Sequence, residues 1–157
     1  MQSAPIVIGV ISDTHGRLRP KAVEALRGSD FIIHAGDIGD PSILKELSSL
    51  APVTAVRGNV DRAVWARPLP EWNVLEAGGL SIYVLHDLHQ LDVKPAAAGF
   101  AAVVSGHSHI PGQQIRDGVL YFNPGSAGPK RFHLPVSVGK LLLRDGQITG
   151  KIIRIAD

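Results

Sequence analysis

The stretch IVIGVISDTHG, residues 6–16, joins an uninterrupted apolar run to a polar ending. Residues 6–12 are rich in β-branched side chains and predict a strand that is buried on both faces. Asp13 and His15 follow at its carboxyl end, which is where open α/β sheets bind their ligands. The stretch therefore predicts a central strand with a binding site at its end.

The segments that follow this strand alternate between helical and strand patterns. Residues 20–27 carry apolar side chains at helical spacing, and a second helix is expected to begin at Pro41 with Asp40 as its N-cap. Further buried strands are predicted at 30–36 and 52–58. This β-α-β-α-β order is typical of a mostly parallel sheet with covering helices.

The second half of the chain consists of hairpin patterns around one more buried strand. That strand is predicted at 101–106, after a short helix within 94–100. Three turn signals mark the hairpins: Gly78-Gly79, Asp117-Gly118 and Asp145-Gly146. Mixed strands after a parallel start predict an α/β fold in which two mixed sheets pack face to face with helices outside.

The composition limits the class of protein. A chain of 157 residues with 45% hydrophobic and 19% charged residues suits one globular domain, spanning 1–157. The net charge is only +2, with scattered Lys and Arg, which argues against a dedicated nucleic-acid surface. The absence of cysteine excludes disulfides and thiolate ligands. The apolar run 6–11 is too short to span a membrane, so we expect no membrane partner and a cytoplasmic location.

Side chains that can bind metal follow five of the predicted strands. Seven of them carry suitable oxygen or nitrogen atoms: Asp13, His15, Asp37, Asn59, His86, His107 and His109. Singly, such residues are common in strand-ending turns or as buried histidines, but the combination is hard to explain in that way. Two divalent ions roughly 3.5–4 Å apart, sharing a carboxylate, would use a set of this size. Without thiolates, the donors suit Mn²⁺, Fe²⁺, Zn²⁺, Ni²⁺ or Co²⁺.

The spacing of these residues gives further expectations. In an extended segment, side chains at i and i+2 project to the same side, so His107 and His109 could each reach a different ion. His34 is expected to support the neighbouring carboxylate or to pack in the core, and Asp61 to form a turn or lie behind the ligands. Arg57 could attract phosphate, although isolated basic residues are usually just solvated.

The motifs DTHG, GDIGD, GNVD, GHSH and NPGS, in this order, resemble those of the calcineurin-like metallophosphoesterases. The resemblance is strongest to their small single-domain branch, the YfcE type, and it extends from about residue 6 to residue 155. It implies a four-layer α/β/β/α sandwich and a metal-dependent phosphoric ester hydrolase, more often a phosphodiesterase than a monoesterase. A small phosphodiester or nucleotide-like molecule would be the substrate.

The resemblance also implies a role for each candidate. Asp13, His15 and His109 would bind the first ion, Asn59, His86 and His107 the second, and Asp37 both. A hydroxide between the ions would attack phosphorus in line, so that Asp37, Asn59 and His86 act through it, with no separate general acid. Mn²⁺ is the favoured metal, with Fe, Zn, Ni and Co as alternatives.

Two positions depart from the family pattern. Many larger relatives have a histidine after the asparagine, where this chain has Val60; that histidine assists the leaving group. Asp87 stands where the family usually has glycine. Asp tolerates left-handed backbone, so the turn could survive. Its carboxylate could repel phosphate or bind a ligand imidazole, and the sequence leaves both alternatives open.

Other functions on the same fold are weighed against the phosphodiesterase. A non-catalytic scaffold resembling the retromer subunit would not need the histidines present here, so it ranks second. A nuclease or protein phosphatase would keep the chemistry, but the chain shows no added recognition domain and lacks the histidine at position 60. The last hairpin and the 60–72 stretch could supply the interface of a homo-oligomer.

Overall fold

In the computed structural model, which describes residues 4–131 and 133–155, ten strands form two five-stranded sheets. The strands are β1 (Ile6–Ile11), β2 (Phe31–His34), β3 (Val53–Ala55), β4 (Trp72–Ala77), β5 (Leu80–Leu85), β6 (Ala102–Val104), β7 (Gly112–Arg116), β8 (Val119–Asn123), β9 (Ser137–Arg144) and β10 (Gln147–Arg154). The α-helices are α1 (Pro20–Leu26), α2 (Pro41–Ser48) and α3 (Pro95–Ala98), and single 3₁₀ turns lie at Val64–Ala66 and Leu88–Gln90. No helix in these described ranges is long and apolar enough to cross a membrane.

The first sheet has the strand order β10-β9-β1-β2-β3, with the opening strand at its centre. β1, β2 and β3 are parallel, whereas β9 pairs with β1 and β10 in the antiparallel sense. Both faces of β1 are covered, which accounts for its continuous apolar run. The carboxyl ends of three parallel strands therefore meet at one edge.

The second sheet has the order β4-β5-β6-β8-β7. β5, β6 and β8 are parallel, and the hairpin partners β4 and β7 are antiparallel to β5 and β8. Each of the three predicted turns has two consecutive residues with positive φ, at 78–79, 117–118 and 145–146. This is the type I′ geometry that matches the twist of paired strands, and the hairpin predictions are confirmed.

The two sheets pack face to face around a shared apolar core. Ile8, Val10 and Leu141 from the first sheet are fully buried against a layer that includes Val84 and Phe122 of the second. This packing fixes the position of one sheet relative to the other, so that strand ends from both sheets can meet at one rim.

The outer layers of the sandwich differ in thickness. α1 and α2 cover the first sheet through Leu26, Ile43 and Leu47. The Asp40 side chain accepts a hydrogen bond from Ser42 N at 2.8 Å, as expected of an N-cap. The second sheet is covered by residues 88–100, whose helical part is short. The four-layer α/β/β/α architecture is confirmed, with a fourth layer that is mostly loop.

Several predicted strands extend too far at their carboxyl ends. The third was expected at 52–58, but β3 ends at Ala55, and the second ends at His34 rather than at 36. The backbone leaves the sheet there because other partners replace the strand pairing: Arg57 N donates to Pro70 O at 2.8 Å. The apolar and glycine residues after each strand belong to the loops that carry the candidate ligands.

Candidate metal centre

The loops after β1 and β2 continue side by side beyond the first sheet. Asp13 N donates to Gly36 O at 3.0 Å, and His15 N donates to Asp37 O at 2.9 Å. From the second sheet, His107 N donates to Asp13 Oδ2 at 3.0 Å. Strand ends of both sheets are therefore joined by hydrogen bonds at the rim where the sequence places the candidate ligands.

Asp13, His15 and His109 form the first cluster of candidate ligands. Asp13 Oδ1 lies 3.2 Å from His109 Nε2 and 3.7 Å from His15 Nε2. The two imidazole nitrogens lie 3.4 Å apart. One ligand atom from each of the three residues lies within 4.8 Å of the others, which is close enough for a single ion to contact all three.

Asp37, His86 and His107 form the second cluster, with the same limit of 4.8 Å between ligand atoms. Asp37 Oδ2 lies 3.2 Å from His86 Nε2 in its own cluster and 3.7 Å from His15 Nε2 in the first. The His86 and His107 rings pack edge to face with centroids 5.1 Å apart. Asp37 therefore occupies the position that a carboxylate shared by two ions would need.

Asn59, the seventh candidate, lies beside the second cluster. One atom of its amide lies 3.2 Å from Asp37 Oδ2 and 3.1 Å from His86 Nε2. With the amide oxygen at that position it faces only acceptors, whereas rotating the amide by 180° would let its nitrogen donate to both. The amide therefore lies close enough to the second cluster for its oxygen to be turned towards a cation there. The structure brings all seven candidates together, and their role as ligands stays a prediction.

The donor atoms fit a pair of divalent cations. Asp13 Oδ1 is buried, and it has no partner with hydrogen-bond geometry among the described residues. A buried carboxylate oxygen without a partner is costly unless a cation completes its surroundings. Imidazole nitrogens with carboxylate and amide oxygens are the donors that Mn²⁺, Fe²⁺, Zn²⁺ and related ions accept.

The electrostatics at both carboxylates favour the charged form. Burial would raise the pKa of Asp13, but the His109 and His15 imidazoles and the Ser12 hydroxyl hold this pKa far below its usual value. Burial would likewise raise the pKa of Asp37, but His86 lowers it, with help from a backbone N–H. Both carboxylates are therefore ready to bind a cation at neutral pH.

Five of the seven candidates adopt left-handed backbone conformations. They are Asp13, His15, Asp37, His107 and His109, with φ between 47° and 70°. The prediction of an extended segment at His107 and His109 was wrong, because both residues have left-handed backbone. The two imidazoles nevertheless belong to different clusters, as expected.

His34 supports the loop of Asp37. It is fully buried, its Nδ1 accepts from Gly36 N at 3.1 Å, and its Nε2 lies 3.0 Å from Thr14 Oγ1. Because the Thr14 hydroxyl donates to Ile38 O at 2.8 Å, His34 carries its hydrogen on Nε2. Burial lowers the pKa of His34 to about 4, so it stays neutral. His34 therefore braces the loops and lies behind the ligands.

Asp61 fixes the loops that carry Asp37 and Asn59. Its buried carboxylate accepts from the backbone N–H groups of Ile38 at 3.0 Å, Gly39 at 3.0 Å and Gly58 at 2.9 Å. Three backbone donors converge on one side chain, so Asp61 holds the geometry of both loops.

Sequence reasoning missed three polar side chains, two that support Asp13 and one that supports the turn before His107. Ser12 Oγ donates to Asp13 Oδ2 at 2.6 Å, and Ser126 Oγ donates to Asp13 O at 3.0 Å. Asn123 Nδ2 donates to Gly106 O at 3.0 Å and so fixes the turn before His107. The NPGS motif at 123–126 was a usable signal for two of them, whereas nothing in the sequence distinguished Ser12.

Two glycines are required because backbone and carboxylates lie in contact. A Cβ at Gly58 would overlap Asp37 Oδ1, and one at Gly106 would overlap Ser12 Oγ. These close approaches let the loops converge on the carboxylates.

Asp87 and Arg57 lie at the entrance to the centre. Asp87 has φ −111°, so the left-handed turn considered for this position is absent; its carboxylate accepts from His89 N at 3.0 Å. Its Oδ2 lies 3.9 Å from His107 Nε2, too far for a hydrogen bond. Arg57 forms an ion pair with Glu71 at 3.2 Å and lines a cleft of about 260 Å³ that opens onto Asn59 and His86.

Comparison with known proteins finds a family model and relatives that match most of the chain. A family model described as the calcineurin-like phosphoesterase superfamily domain matches residues 6–146. A protein named probable metallophosphoesterase from Methanothermobacter thermautotrophicus is 35% identical over 161 residues, covering 95% of this chain and 92% of the relative.

Two solved structures share the fold. An archaeal phosphodiesterase has a TM-score of 0.76 at 25% identity, covering 94% of this chain and all of its own length (100%). Vps29 of Entamoeba histolytica, crystallised with Zn²⁺, has a TM-score of 0.70 at 20% identity, covering 95% of this chain and 99% of its own.

Proposed function

Because the chain belongs to the calcineurin-like phosphoesterase superfamily, we propose that it is a phosphodiesterase whose reaction centre is the pair of clusters described above. The observation that carries this proposal is the position of Asp37, whose Oδ2 lies 3.2 Å from His86 Nε2 in one cluster and 3.7 Å from His15 Nε2 in the other. The name of the similar archaeal phosphodiesterase supports a diester as substrate.

The clusters suggest how two divalent ions would be bound. Asp13, His15 and His109 would hold one, and Asn59, His86 and His107 the other, with Asp37 shared. Mn²⁺ is our first choice, with Fe, Zn, Ni and Co as alternatives. Bound ions would act as Lewis acids towards a phosphoryl oxygen and would lower the pKa of a water molecule.

The chain's own residues would position an anionic substrate beside these ions. Arg57 and Arg62 line the cleft that opens onto Asn59 and His86. Arg57 is paired with Glu71, so the charge of Arg62 is the one that favours the approach of a phosphate group. His107, whose side chain is 45% exposed, lies at the mouth of the same cleft. A small phosphodiester can thus reach the centre from solvent.

Departure of the leaving group receives no help from the residue after Asn59. Val60 is 47% exposed and supplies only methyl groups where a proton donor would be needed. Its backbone N–H donates to Asp37 Oδ1 at 3.1 Å. We therefore expect good hydrolysis only of esters whose leaving group is stable without a proton.

A non-catalytic scaffold is the second candidate, because the chain also shares its fold with Vps29. That structure contains Zn²⁺, so bound metal alone would not distinguish a scaffold from an enzyme. The complete set of imidazoles and carboxylates in this chain favours the enzyme.

The test is hydrolysis of bis(4-nitrophenyl) phosphate by Mn²⁺-loaded protein. Asp37→Asn should lower kcat/KM at least about 100-fold, since it removes charge from the shared ligand. Asp40→Asn is the matched control, because Asp40 caps α2 away from the centre and Asn caps equally well. Folded protein that hydrolyses no diester with any of the five metals would support the scaffold instead.

A further inference from the structure

His107 stands between two clefts of different chemistry. The first is the charged cleft of about 260 Å³ lined by Arg57, Arg62 and Glu71. The second, on the other side of His107, has a volume of about 340 Å³ and lies over β7 and β8. His107 and Asp87 line both clefts, so the second cleft is continuous with the candidate metal centre.

The second cleft, here called the β7 cleft, is mainly apolar. Leu88, Ile110, Pro111 and Tyr121 line it, and the Ile110 side chain is 57% exposed. Contact of this large aliphatic side chain with water is unfavourable. A bound apolar group that covers it would therefore gain binding free energy.

The one fixed positive charge among the side chains lining the β7 cleft is already engaged. The guanidinium of Arg116 lies 5.0 Å from the centre of the Tyr121 ring and donates to Gln114 Oε1 at 3.2 Å. Asp87 also lines the cleft and carries the opposite charge, so the two fixed charges balance and give little net attraction to a second anionic group.

Resting on the proposed function, we infer that the β7 cleft binds one uncharged ring-bearing ester arm of the phosphodiester, such as an aryl group or a nucleoside. A diester phosphorus carries two organic arms, and an arm leaving the centre past His107 enters this cleft. Its volume of about 340 Å³ is at the lower end of the range for small-molecule sites, which suits one ring system. Ile110 is thus a specificity-determining residue, which favours the binding of ester groups that contain a ring over ester groups that do not.

The test compares phenylphosphonate with methylphosphonate, two non-hydrolysable probes that differ only in the organic group. Their dissociation constants are measured by isothermal titration calorimetry on Mn²⁺-loaded protein. We expect the wild-type protein to bind phenylphosphonate about tenfold or more tightly than methylphosphonate, and Ile110→Ala to reduce this preference about fivefold through lost apolar contact. Because Ile110 is exposed, the variant should fold, and its thermal unfolding confirms this.

Ile115→Ala is the matched control. Ile115 lies on β7, close in sequence to Ile110, and is 71% exposed, but it does not line the cleft. Its replacement by alanine should therefore leave the preference for phenylphosphonate unchanged. A wild-type protein with no preference for the phenyl group would overturn the inference. So would a preference that survives Ile110→Ala. Since phosphonates are not hydrolysed, either result is distinguishable from a failure of the diesterase itself, which the nitrophenyl assay reads separately.

Discussion

Replacing Asp61 by alanine tests whether a buried carboxylate holds the two loops of the candidate centre. The carboxylate accepts from Ile38 N, Gly39 N and Gly58 N at 2.9 to 3.1 Å, and Asp61 is only 2% exposed. Each buried N–H left without a partner costs about 1–3 kcal/mol. Because water can reach Gly39 more easily than the others, we expect a loss of about 3–5 kcal/mol in the free energy of unfolding.

The assay is equilibrium unfolding in urea, with chelator present so that metal binding does not contribute. Asp30→Ala is the matched control. Its carboxylate accepts from a single backbone donor, Val7 N at 2.8 Å, in an exposed position. That variant should lose about 1 kcal/mol, the usual net value of one hydrogen bond.

Equal losses in the two variants would refute the reasoning, because the three donors of the Asp37 and Asn59 loops would then have other partners. A large loss for Asp61→Ala alone would show that the geometry of the centre depends on a side chain that contacts no substrate. The same variant should also bind Mn²⁺ more weakly, since Asp37 directly precedes two of the released loop residues, Ile38 and Gly39.

Three further outcomes are expected. Gly58→Ala should weaken Mn²⁺ binding at least about tenfold, measured by calorimetry, because the new Cβ displaces Asp37. The control is Gly112→Ala, where the Cβ meets open space, and this variant should bind Mn²⁺ as the wild type does. Ser126→Ala should lower the free energy of unfolding by about 1 kcal/mol, measured in urea, since Asp13 O loses a buried donor; an unchanged value would contradict that role. Diphenyl phosphate should be hydrolysed at least about 100-fold more slowly than its bis(4-nitrophenyl) analogue, whose leaving group needs no acid; similar rates would reveal a proton donor.

Much of the fold follows from local signals in the sequence. The continuous apolar run of β1 predicts a strand covered on both faces, and glycine after Asp117 and Asp145 predicts tight hairpins. The strand ends were harder to predict, because Val56 and Arg57 look like strand residues. Val56 N still donates to His34 O of β2, but Arg57 N donates to Pro70 O, a partner that a local pattern does not reveal.

The candidate centre was predictable as a group of side chains, while its supports were not. The residue type and spacing of His107 and His109 identify them as candidate ligands. Their left-handed backbone depends on tertiary contacts, so the local sequence does not predict it. Ser12 looks like any strand-ending serine, and only the folded structure shows its hydroxyl on Asp13 Oδ2. Asp87 adopts extended backbone where the family pattern suggested a turn, because it begins a 3₁₀ turn.

The left-handed backbone at five of the candidate ligands restricts how this centre can change. Aspartate and histidine are among the few side chains that tolerate such dihedral angles, and they are also the residues with the required donor atoms. Exchanging His109 for cysteine or Asp37 for glutamate would alter the donor and add backbone strain in one step. The backbone conformation therefore disfavours replacing these ligands by a thiolate or by a longer carboxylate, independently of any effect on activity.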